Sequence, residues 1–403
     1  MPMEHVDVFD SGGPARPASA PATGTASGLI DCMRRQDLLT TCRDRLDKRP
    51  ALFLRLLQQL HEALVRTRAI ILPTVLYAVA MTCHAQEVYT DLRSKPTGRI
   101  YFNSLTPKSY YALMEHASEA PRTVVWGTLH MPEHASGPVP AMVFSHGSGG
   151  IMANETDRWL PLFLKMGMAV FIVDTYGSRG ITDTVANQDQ LSFSANIADA
   201  YSALKLLATD PRIDPARIGQ IGFSRGGTIA VNTLLEKFRR AMIPAEATKF
   251  AAHVAFYPAC NFTYWGNASA FTGAPILFAL AGKDDYTSTP LCANYAAKLK
   301  TVLPRVDVEV YEGAYHDFDA VVGLYQWLPS AVSNIKCTGV EVNIETFQVT
   351  DLATSKVYKD GKDYPGGVFG CVTKGGTVAN HWSAARKAEA DVRKFLSEAL
   401  KLP

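Results

Sequence analysis

Short apolar runs alternate, along most of the chain, with stretches in which apolar residues recur at helical spacing. The runs predict strands at 123–131, 141–144, 168–173, 253–256, 275–281 and 306–311, and one more that ends at Gly222. The spacing predicts helices at 157–165, 187–208, 290–302 and 381–400, and one more directly after Ser224. Strands that alternate with helices build parallel sheets with crossover helices. The pattern therefore predicts an α/β domain with a mostly parallel central sheet and helices on both faces.

The first part of the chain does not follow this alternation. Residues 11–28 consist mainly of Ser, Gly, Pro, Ala and Thr, which predicts disorder because such residues bury little apolar surface. Residues 31–64 are charged and Leu-rich with helical spacing, which indicates an amphipathic helix. We therefore expect residues 1–64 to form an N-terminal extension and residues 86–403 to form the globular domain.

Residues 65–85 resemble a secretory signal peptide. Two arginines within 65–68 precede an apolar block at 69–81, which is short for a membrane span, and the small residue Ala85 follows. Because signal peptides stand at the N-terminus, this position implies either a start assigned too early, with translation beginning near Val65, or a signal-anchor as the only membrane contact. The segment favours a periplasmic or secreted protein; the alternative is a buried helix in a cytoplasmic protein.

Composition narrows the function classes. The chain has 403 residues, 47% of them hydrophobic and 19% charged, with a formal net charge of +2, which is ordinary for a globular protein and gives no basic surface for nucleic acid. The seven cysteines lack the paired C-x-x-C spacing of a structural zinc site. The sequence contains no H-E-x-x-H motif, Walker loop or dinucleotide-binding fingerprint. We therefore expect no nucleic-acid partner, no metal and no cofactor.

The segment Gly222-Phe223-Ser224-Arg225-Gly226 matches the G-x-S-x-G nucleophile elbow. In this turn a strand ends at a serine and a helix begins at once, and the flanking glycines relieve crowding around the serine. The predicted helix would carry Ile229, Ala230, Leu234 and Leu235 on one face. An idle serine in a Gly-rich turn gives the same five letters, so the assignment of Ser224 as a nucleophile depends on partners elsewhere.

A base and a carboxylate follow Ser224 in the chain, each after a predicted strand. Gly282-Lys283-Asp284-Asp285 follows the strand at 275–281, and His316 lies in the loop after 306–311. A serine hydroxyl needs a histidine to accept its proton and a carboxylate to orient that histidine. We expect Ser224, Asp284 and His316 to form the catalytic triad. Two alternatives are Asp285 as the acid and His381, at the start of the last predicted helix, as the base.

Acyl transfer also needs backbone amides that bind the oxyanion. The amide of Arg225 follows the nucleophile directly. The loop at 145–150, Ser-His-Gly-Ser-Gly-Gly, follows the strand at 141–144 and is similar to the H-G-G-G loop that supplies the other donor. We therefore expect Arg225, Ser148 and Gly147 to form the oxyanion hole. A tight turn without a function is the alternative for this loop.

A third loop, residues 174–180, also ends at the carboxyl edge of the predicted sheet. Its Tyr176 and Arg179, with His146 of the preceding loop, are candidates for substrate binding. An arginine binds carboxylates and acyl carbonyls well. A buried salt bridge that holds the loop closed is an equally good interpretation of Arg179.

These motifs, spread over roughly residues 120–400, resemble those of the dienelactone hydrolase family. The resemblance implies an α/β-hydrolase fold, here with an N-terminal extension and a C-terminal β-rich insertion, and an esterase that needs no cofactor. Family members that are dienelactone hydrolases proper carry cysteine at the elbow, whereas this chain has Ser224. That difference favours small to medium carboxylic esters or lactones as substrates. The alternatives are an acetyl-xylan or feruloyl-type esterase, a prolyl-oligopeptidase-like peptidase, and an inactive hydrolase fold that serves as a binding module.

Four cysteines fall within the globular domain. Cys260 and Cys292 follow neighbouring predicted strands, and Cys337 and Cys371 bracket a stretch with β-like runs. If the protein is exported, we expect disulfides between Cys260 and Cys292 and between Cys337 and Cys371. The bracketed insertion, 337–371, lies between the His316 loop and the last helix, which is a position for a lid or pocket wall.

Overall fold

A computed structural model of the protein describes residues 87–402 except 245–247, 324, 362 and 366–369. The predicted disorder at 11–28, the helix at 31–64 and the signal-like segment at 65–85 lie outside the described residues. The strands are β1 Val88–Tyr89, β2 Gly98–Leu105, β3 Arg122–His130, β4 Val139–Ser145, β5 Ala169–Asp174, β6 Ile213–Phe223, β7 His253–Phe256, β8 Phe262–Trp265, β9 Ile276–Ala281, β10 Val306–Tyr311, β11 Tyr325–Trp327, β12 Val332–Ser333, β13 Val340–Asn343, β14 Val349–Asp351, β15 Val357–Tyr358, β16 Thr373–Lys374 and β17 Thr377–Ala379. The helices are α1 Tyr110–His116, α2 Leu160–Lys165, α3 Phe193–Leu207, α4 Arg225–Asn232, α5 Glu236–Met242, α6 Thr289–Leu299 and α7 Trp382–Ala399.

Nine strands form the central sheet, in the order β1-β2-β3-β5-β4-β6-β7-β9-β10. β3 pairs antiparallel with both β2 and β5, and every other pair in this sheet is parallel. Parallel strands run in one direction, so their carboxyl ends and the loops that follow them meet at one edge. The predicted mostly parallel sheet is confirmed.

Helices cover both faces of this sheet because its central strands are apolar on both sides. Successive residues of a strand point to opposite faces, and β4 follows this rule. Val143 packs into a core with α3 and α6, while Met142 and Phe144 pack into a second core with α2 and α7. The helices on both faces agree with the prediction.

Three predicted helices differ in their bounds. The helix expected at 187–208 begins only at Phe193, because Ser192 accepts the amide of Ala195 at 3.2 Å and caps its first turn. The helix expected at 157–165 begins as a wider π-helical turn, Asn154–Trp159, before α2. Leu234 and Leu235 are buried as expected, but α4 ends at Asn232, so they lie beyond it.

The C-terminal part of the chain adds small β-sheets to the main domain, in agreement with the β-rich insertion predicted there. β13 pairs parallel with β8 and antiparallel with β14, which pairs with β15. β11 pairs with β17, and β12 with β16. Among the described residues, disulfides join Cys260 to Cys292 and Cys337 to Cys371, the two pairs expected from the sequence. Disulfides of this kind are typical of proteins in oxidising compartments.

Within the described part of the chain, no helix combines the length and the apolar character that a membrane crossing needs.

Candidate active site

The turn between β6 and α4 holds Ser224 in a conformation that few residues adopt. Ser224 has φ 52° and ψ −114°, and its N–H donates to the carbonyl of Phe256 in the neighbouring strand at 3.0 Å. The glycines around it are required by close backbone contacts. A Cβ at Gly222 would lie 1.9 Å from the carbonyl oxygen of Gly226, and one at Gly226 would lie 1.8 Å from that of Ser145. The elbow therefore forms because glycine stands on both sides of the serine.

His316 lies in the loop after β10 and contacts the serine directly. Its Nε2 is 2.8 Å from Ser224 Oγ, and the residue is buried. Its carbonyl accepts the N–H of Ala379 in β17 at 2.9 Å, which ties this loop to the strand that follows the insertion. The rings of Tyr257 and Tyr286 lie 4.5 Å and 4.7 Å from the imidazole, between ring centroids. The histidine is thus held from several sides at the edge of the sheet.

Asp284 contacts the other ring nitrogen of His316. Asp284 Oδ2 lies 2.8 Å from His316 Nδ1, while Oδ1 accepts the amides of Tyr286 and Thr287 at 2.9 Å and 2.8 Å. The side chain of Asp285 points elsewhere. It accepts hydrogen bonds from the N–H of Thr377 at 2.6 Å and from the hydroxyl of Thr377 at 2.7 Å. The structure therefore brings Ser224, His316 and Asp284 into one hydrogen-bonded line and leaves Asp285 out of it.

The charges around His316 affect both its pKa and its tautomer. Burial lowers the pKa of the imidazole, whereas the nearby carboxylates, first of all Asp284, raise it. Their combined effect is larger than that of burial, so the pKa of His316 lies above its usual value. An ionised carboxylate only accepts hydrogen bonds, so Nδ1 carries the proton that is shared with Asp284. Nε2 of the neutral ring is then free to accept the proton of Ser224 Oγ. The arrangement suits general-base chemistry on a serine.

The rival histidine, His381, lies away from this line. It caps the first turn of α7, where its Nδ1 accepts the amide of Ala384 at 3.3 Å and lies 3.2 Å from Ser383 Oγ. The carbonyl of Phe318 accepts the His381 N–H at 2.8 Å. Its hydrogen bonds are those of a helix-capping residue.

The three candidates for the oxyanion hole lie on two neighbouring segments. Arg225 is the first residue of α4, so its amide has no acceptor within the helix. A Cβ at Gly147 would lie 3.5 Å from Ser224 Cβ, so the loop backbone runs beside the serine. Ser148 binds the side chain of Gln188 through its hydroxyl, and its carbonyl accepts the N–H of Thr184 at 2.8 Å.

The candidates for substrate binding are engaged with the protein itself. Both ring nitrogens of His146 are used: Nδ1 donates to the carbonyl of Gly147 at 2.8 Å, and Nε2 accepts the amide of Thr175 at 3.3 Å. Tyr176 is buried, with its ring centroid 4.5 Å from that of His146, and its hydroxyl lies 2.8 Å from Thr184 Oγ1.

Arg179 forms a buried, two-pronged ion pair with Asp199, at 2.8 Å and 2.9 Å. It also donates to the carbonyls of Thr175 and Leu105. The structure therefore places Arg179 in the salt bridge that the sequence left open as the alternative to substrate binding.

Sequence reasoning missed the residues that connect these loops. Gln188 bridges Arg225 and Ser148, and Asp199 neutralises Arg179. Both residues lie in a segment where the pattern predicted only a helix, and no motif marks either of them. Among the described residues, no group of three or more His, Cys, Asp or Glu side chains is arranged to hold a metal ion.

Comparison with known proteins identifies the family of this chain. Residues 125–327, half of the chain, match the sequence model of the dienelactone hydrolase family, and this range includes Ser224, Asp284 and His316. Over 204 residues, 46% of this chain and 70% of the relative, the sequence is 26% identical to an uncharacterized protein of Mycobacterium tuberculosis.

Among solved structures, the chain is similar to an esterase from Thermogutta terrifontis with bound propionate, with 18% identity, a TM-score of 0.39, and coverage of 48% of this chain and 80% of that one. It is also similar to a dienelactone hydrolase-like promiscuous phosphotriesterase from metagenomic libraries, with 14% identity, a TM-score of 0.43, and coverage of 75% and 99%. The family model decides the assignment: the chain belongs to the dienelactone hydrolase family of the α/β-hydrolases and is a carboxylic ester hydrolase.

Proposed function

We propose that this esterase is a serine hydrolase that cleaves small to medium carboxylic esters or lactones through an acyl intermediate on Ser224. The observation that carries the proposal is the line of two hydrogen bonds, each 2.8 Å long, from Ser224 Oγ to His316 and from His316 to Asp284 Oδ2. Serine in place of cysteine at the elbow makes a neutral hydroxyl the nucleophile, and such a hydroxyl depends on an adjacent base.

In the proposed first step, His316 Nε2 accepts the Ser224 proton while Oγ attacks the ester carbonyl carbon. The amides of Arg225 and of the loop at Gly147 and Ser148 bind the oxygen that becomes negative. The imidazolium, stabilised by Asp284, then gives its proton to the leaving alcohol oxygen as the carbon–oxygen bond breaks. In a lactone the alcohol stays attached to the acyl group.

In the second step, water replaces the alcohol. His316 accepts a proton from the water as it attacks the acyl carbon, and the same amides bind the second oxyanion. The proton then returns to Ser224 Oγ, and the carboxylic acid leaves. Ser224 and His316 have then returned to their starting protonation states.

Labelling with a fluorophosphonate probe tests the nucleophile, because such probes react with activated serines. We expect one covalent adduct on the folded protein, and mass spectrometry should locate it on the peptide that contains Ser224. A folded protein that takes no label would favour the alternative of an inactive binding module. An adduct on another serine would also contradict the proposal.

A substrate panel then separates the enzyme alternatives. We expect hydrolysis of p-nitrophenyl esters with short and medium acyl chains and of simple lactones. Activity only on acetylated xylan or feruloyl sugars would identify a carbohydrate esterase. Cleavage of peptides after proline, without ester hydrolysis, would identify a peptidase.

We also propose that the protein is exported to the periplasm or the medium. The two disulfides, Cys260–Cys292 and Cys337–Cys371, support an oxidising compartment. N-terminal sequencing of the native protein tests this, and we expect a mature start close to residue 86 in an extracytoplasmic fraction. A cytosolic protein with Met1 intact and four free thiols among these cysteines would overturn the proposal.

A further inference from the structure

The side chain of Arg225, directly after the proposed nucleophile, is a buried cation held by neutral groups. Only 2% of Arg225 is exposed. Its guanidinium donates five hydrogen bonds: Nε and Nη2 to Asn196 Oδ1 at 3.1 Å and 3.0 Å, Nη1 to Gln188 Oε1 at 2.8 Å and to the Gln188 carbonyl at 3.1 Å, and Nη2 also to the carbonyl of Leu191. The four acceptor atoms are all neutral amide or carbonyl oxygens, so none of them neutralises the charge.

These bonds connect α4 to the first turn of α3 and to the segment that precedes it. The carbonyls of Gln188 and Leu191 belong to the preceding segment. Asn196 lies in the first turn of α3, and the ring centroid of Phe193, the first residue of α3, lies 3.9 Å from the guanidinium carbon. We call these contacts of the Arg225 side chain the clamp. Because α4 begins at Arg225, the clamp fixes the end of the helix that presents the Arg225 amide.

Gln188 extends the clamp to the second oxyanion segment. Because Gln188 Oε1 accepts from Arg225, its Nε2 faces Ser148 and donates to Ser148 Oγ at 2.9 Å. Thr184 adds two hydrogen bonds to this network. Its N–H donates to the Ser148 carbonyl at 2.8 Å, and its hydroxyl is hydrogen-bonded to that of Tyr176. The amide of Arg225 and the loop at Ser148 are thus linked through one arginine and one glutamine.

A structural clamp alone does not explain the choice of residue. Burial of a cation without a carboxylate partner is unfavourable, because the charge loses its hydration without an opposite charge in return. Burial accordingly lowers the pKa of Arg225. A positive charge at the N-terminal end of α4 adds to the helix dipole there, and both favour negative charge beside Ser224.

We propose that Arg225, through its side chain, and Gln188 are positioning residues for the oxyanion site. They fix the distance between the amide at the start of α4 and the loop at Ser148, and the charge of Arg225, which no carboxylate of the described residues contacts, favours the oxyanion over the neutral ester. This inference rests on the proposed acyl transfer at Ser224. It assigns to the side chain of Arg225 a role separate from that of its backbone amide.

Gln188→Ala is the decisive variant, because Gln188 is only half-buried and its removal leaves Arg225 in place. We expect kcat to fall about tenfold while KM stays within about twofold, since loosened donors weaken the transition state more than the bound ester. Affinity for a trifluoromethyl ketone, which forms a tetrahedral oxyanion on serine, should fall by the same factor. Affinity for the carboxylic acid product should not change.

Gln190→Ala is the matched control. Gln190 lies in the same short turn, but its Nε2 donates, among the residues that the structure describes, only to the carbonyls of Asp183 and Asn187. We expect its kcat and its affinity for the ketone to equal those of the unmodified protein. Arg225→Lys keeps the charge but loses the planar fork, so it should lower kcat at least as much as Gln188→Ala.

Rates are to be expressed per serine that a fluorophosphonate labels, which removes any unfolded fraction. If Gln188→Ala and Arg225→Lys lower only the melting temperature and keep kcat and ketone affinity, the inference is wrong and the network is merely structural. If the unmodified protein takes no label at Ser224, the proposed function itself fails. The two failures are therefore distinguishable.

Discussion

Replacing His316 with alanine is expected to lower kcat for ester hydrolysis by about a millionfold, as loss of the catalytic histidine does in a serine protease. The reason is that Ser224 Oγ, 2.8 Å from His316 Nε2, would lose the group that accepts its proton. Steady-state kinetics on a p-nitrophenyl ester measures the effect, with circular dichroism to show that the variant is folded. Fluorophosphonate labelling should be lost in parallel.

His381→Ala is the matched control, since His381 is the rival histidine in the sequence. It caps α7 through the amide of Ala384. Its replacement should lower the free energy of unfolding by about 1 kcal/mol, as the loss of a cap does, and leave kcat unchanged. If His381→Ala abolished hydrolysis and His316→Ala did not, the proposed base would be wrong.

Asp284→Asn is expected to lower kcat by about 10⁴-fold, because an amide no longer favours the correct tautomer of His316 or stabilises its charged form. The pH profile should change too. In the unmodified protein burial lowers the pKa of His316, but the nearby carboxylates, first of all Asp284, together raise it above its usual value. Only the neutral imidazole acts as a base, so kcat/KM should rise with pH through a pKa above the ordinary value of about 6.5. Asp284→Asn removes the first of the carboxylates that raise this pKa, so the rise should move to lower pH.

Asp285→Asn provides the control in the same turn. Within the described part of the chain, the side chain of Asp285 accepts hydrogen bonds only from Thr377, and it lies outside the line of Ser224 and His316. Its loss of charge should weaken these two hydrogen bonds and lower the free energy of unfolding by about 1 kcal/mol, with kcat and the pH profile unchanged. Equal losses of activity in both variants would mean that the turn, rather than the carboxylate of Asp284, supports the reaction.

Within the described residues, the sequence was sufficient to predict seven of the nine strands of the central sheet and five of the seven helices, and it supplied the hypothesis of the triad. These features depend on local patterns: an apolar run for a strand, glycines where the backbone approaches closely, and polar residues after strands. The contact between Ser224 and His316 joins residues 92 positions apart. It could be anticipated because parallel strands bring their carboxyl ends to one edge.

The connections between the loops could not be predicted in the same way. Arg179 and Arg225 are both arginines in Gly-rich turns, yet one pairs with Asp199 and the other binds only neutral oxygens. The difference arises from side-chain packing between segments distant in sequence, for which a single sequence gives no periodic signal. The pairing of β8 with β13 is of the same kind, since it joins short strands across 77 residues.

The insertion at 337–371, which carries the second disulfide, lies between two strands that pair with each other. β11 precedes it and is hydrogen-bonded to β17, which follows it, and β17 in turn contacts the loop of His316. A segment whose two ends are already joined can lengthen or shorten at little cost in chain entropy. Shortening or exchanging the segment between these two strands should therefore leave the histidine in its position.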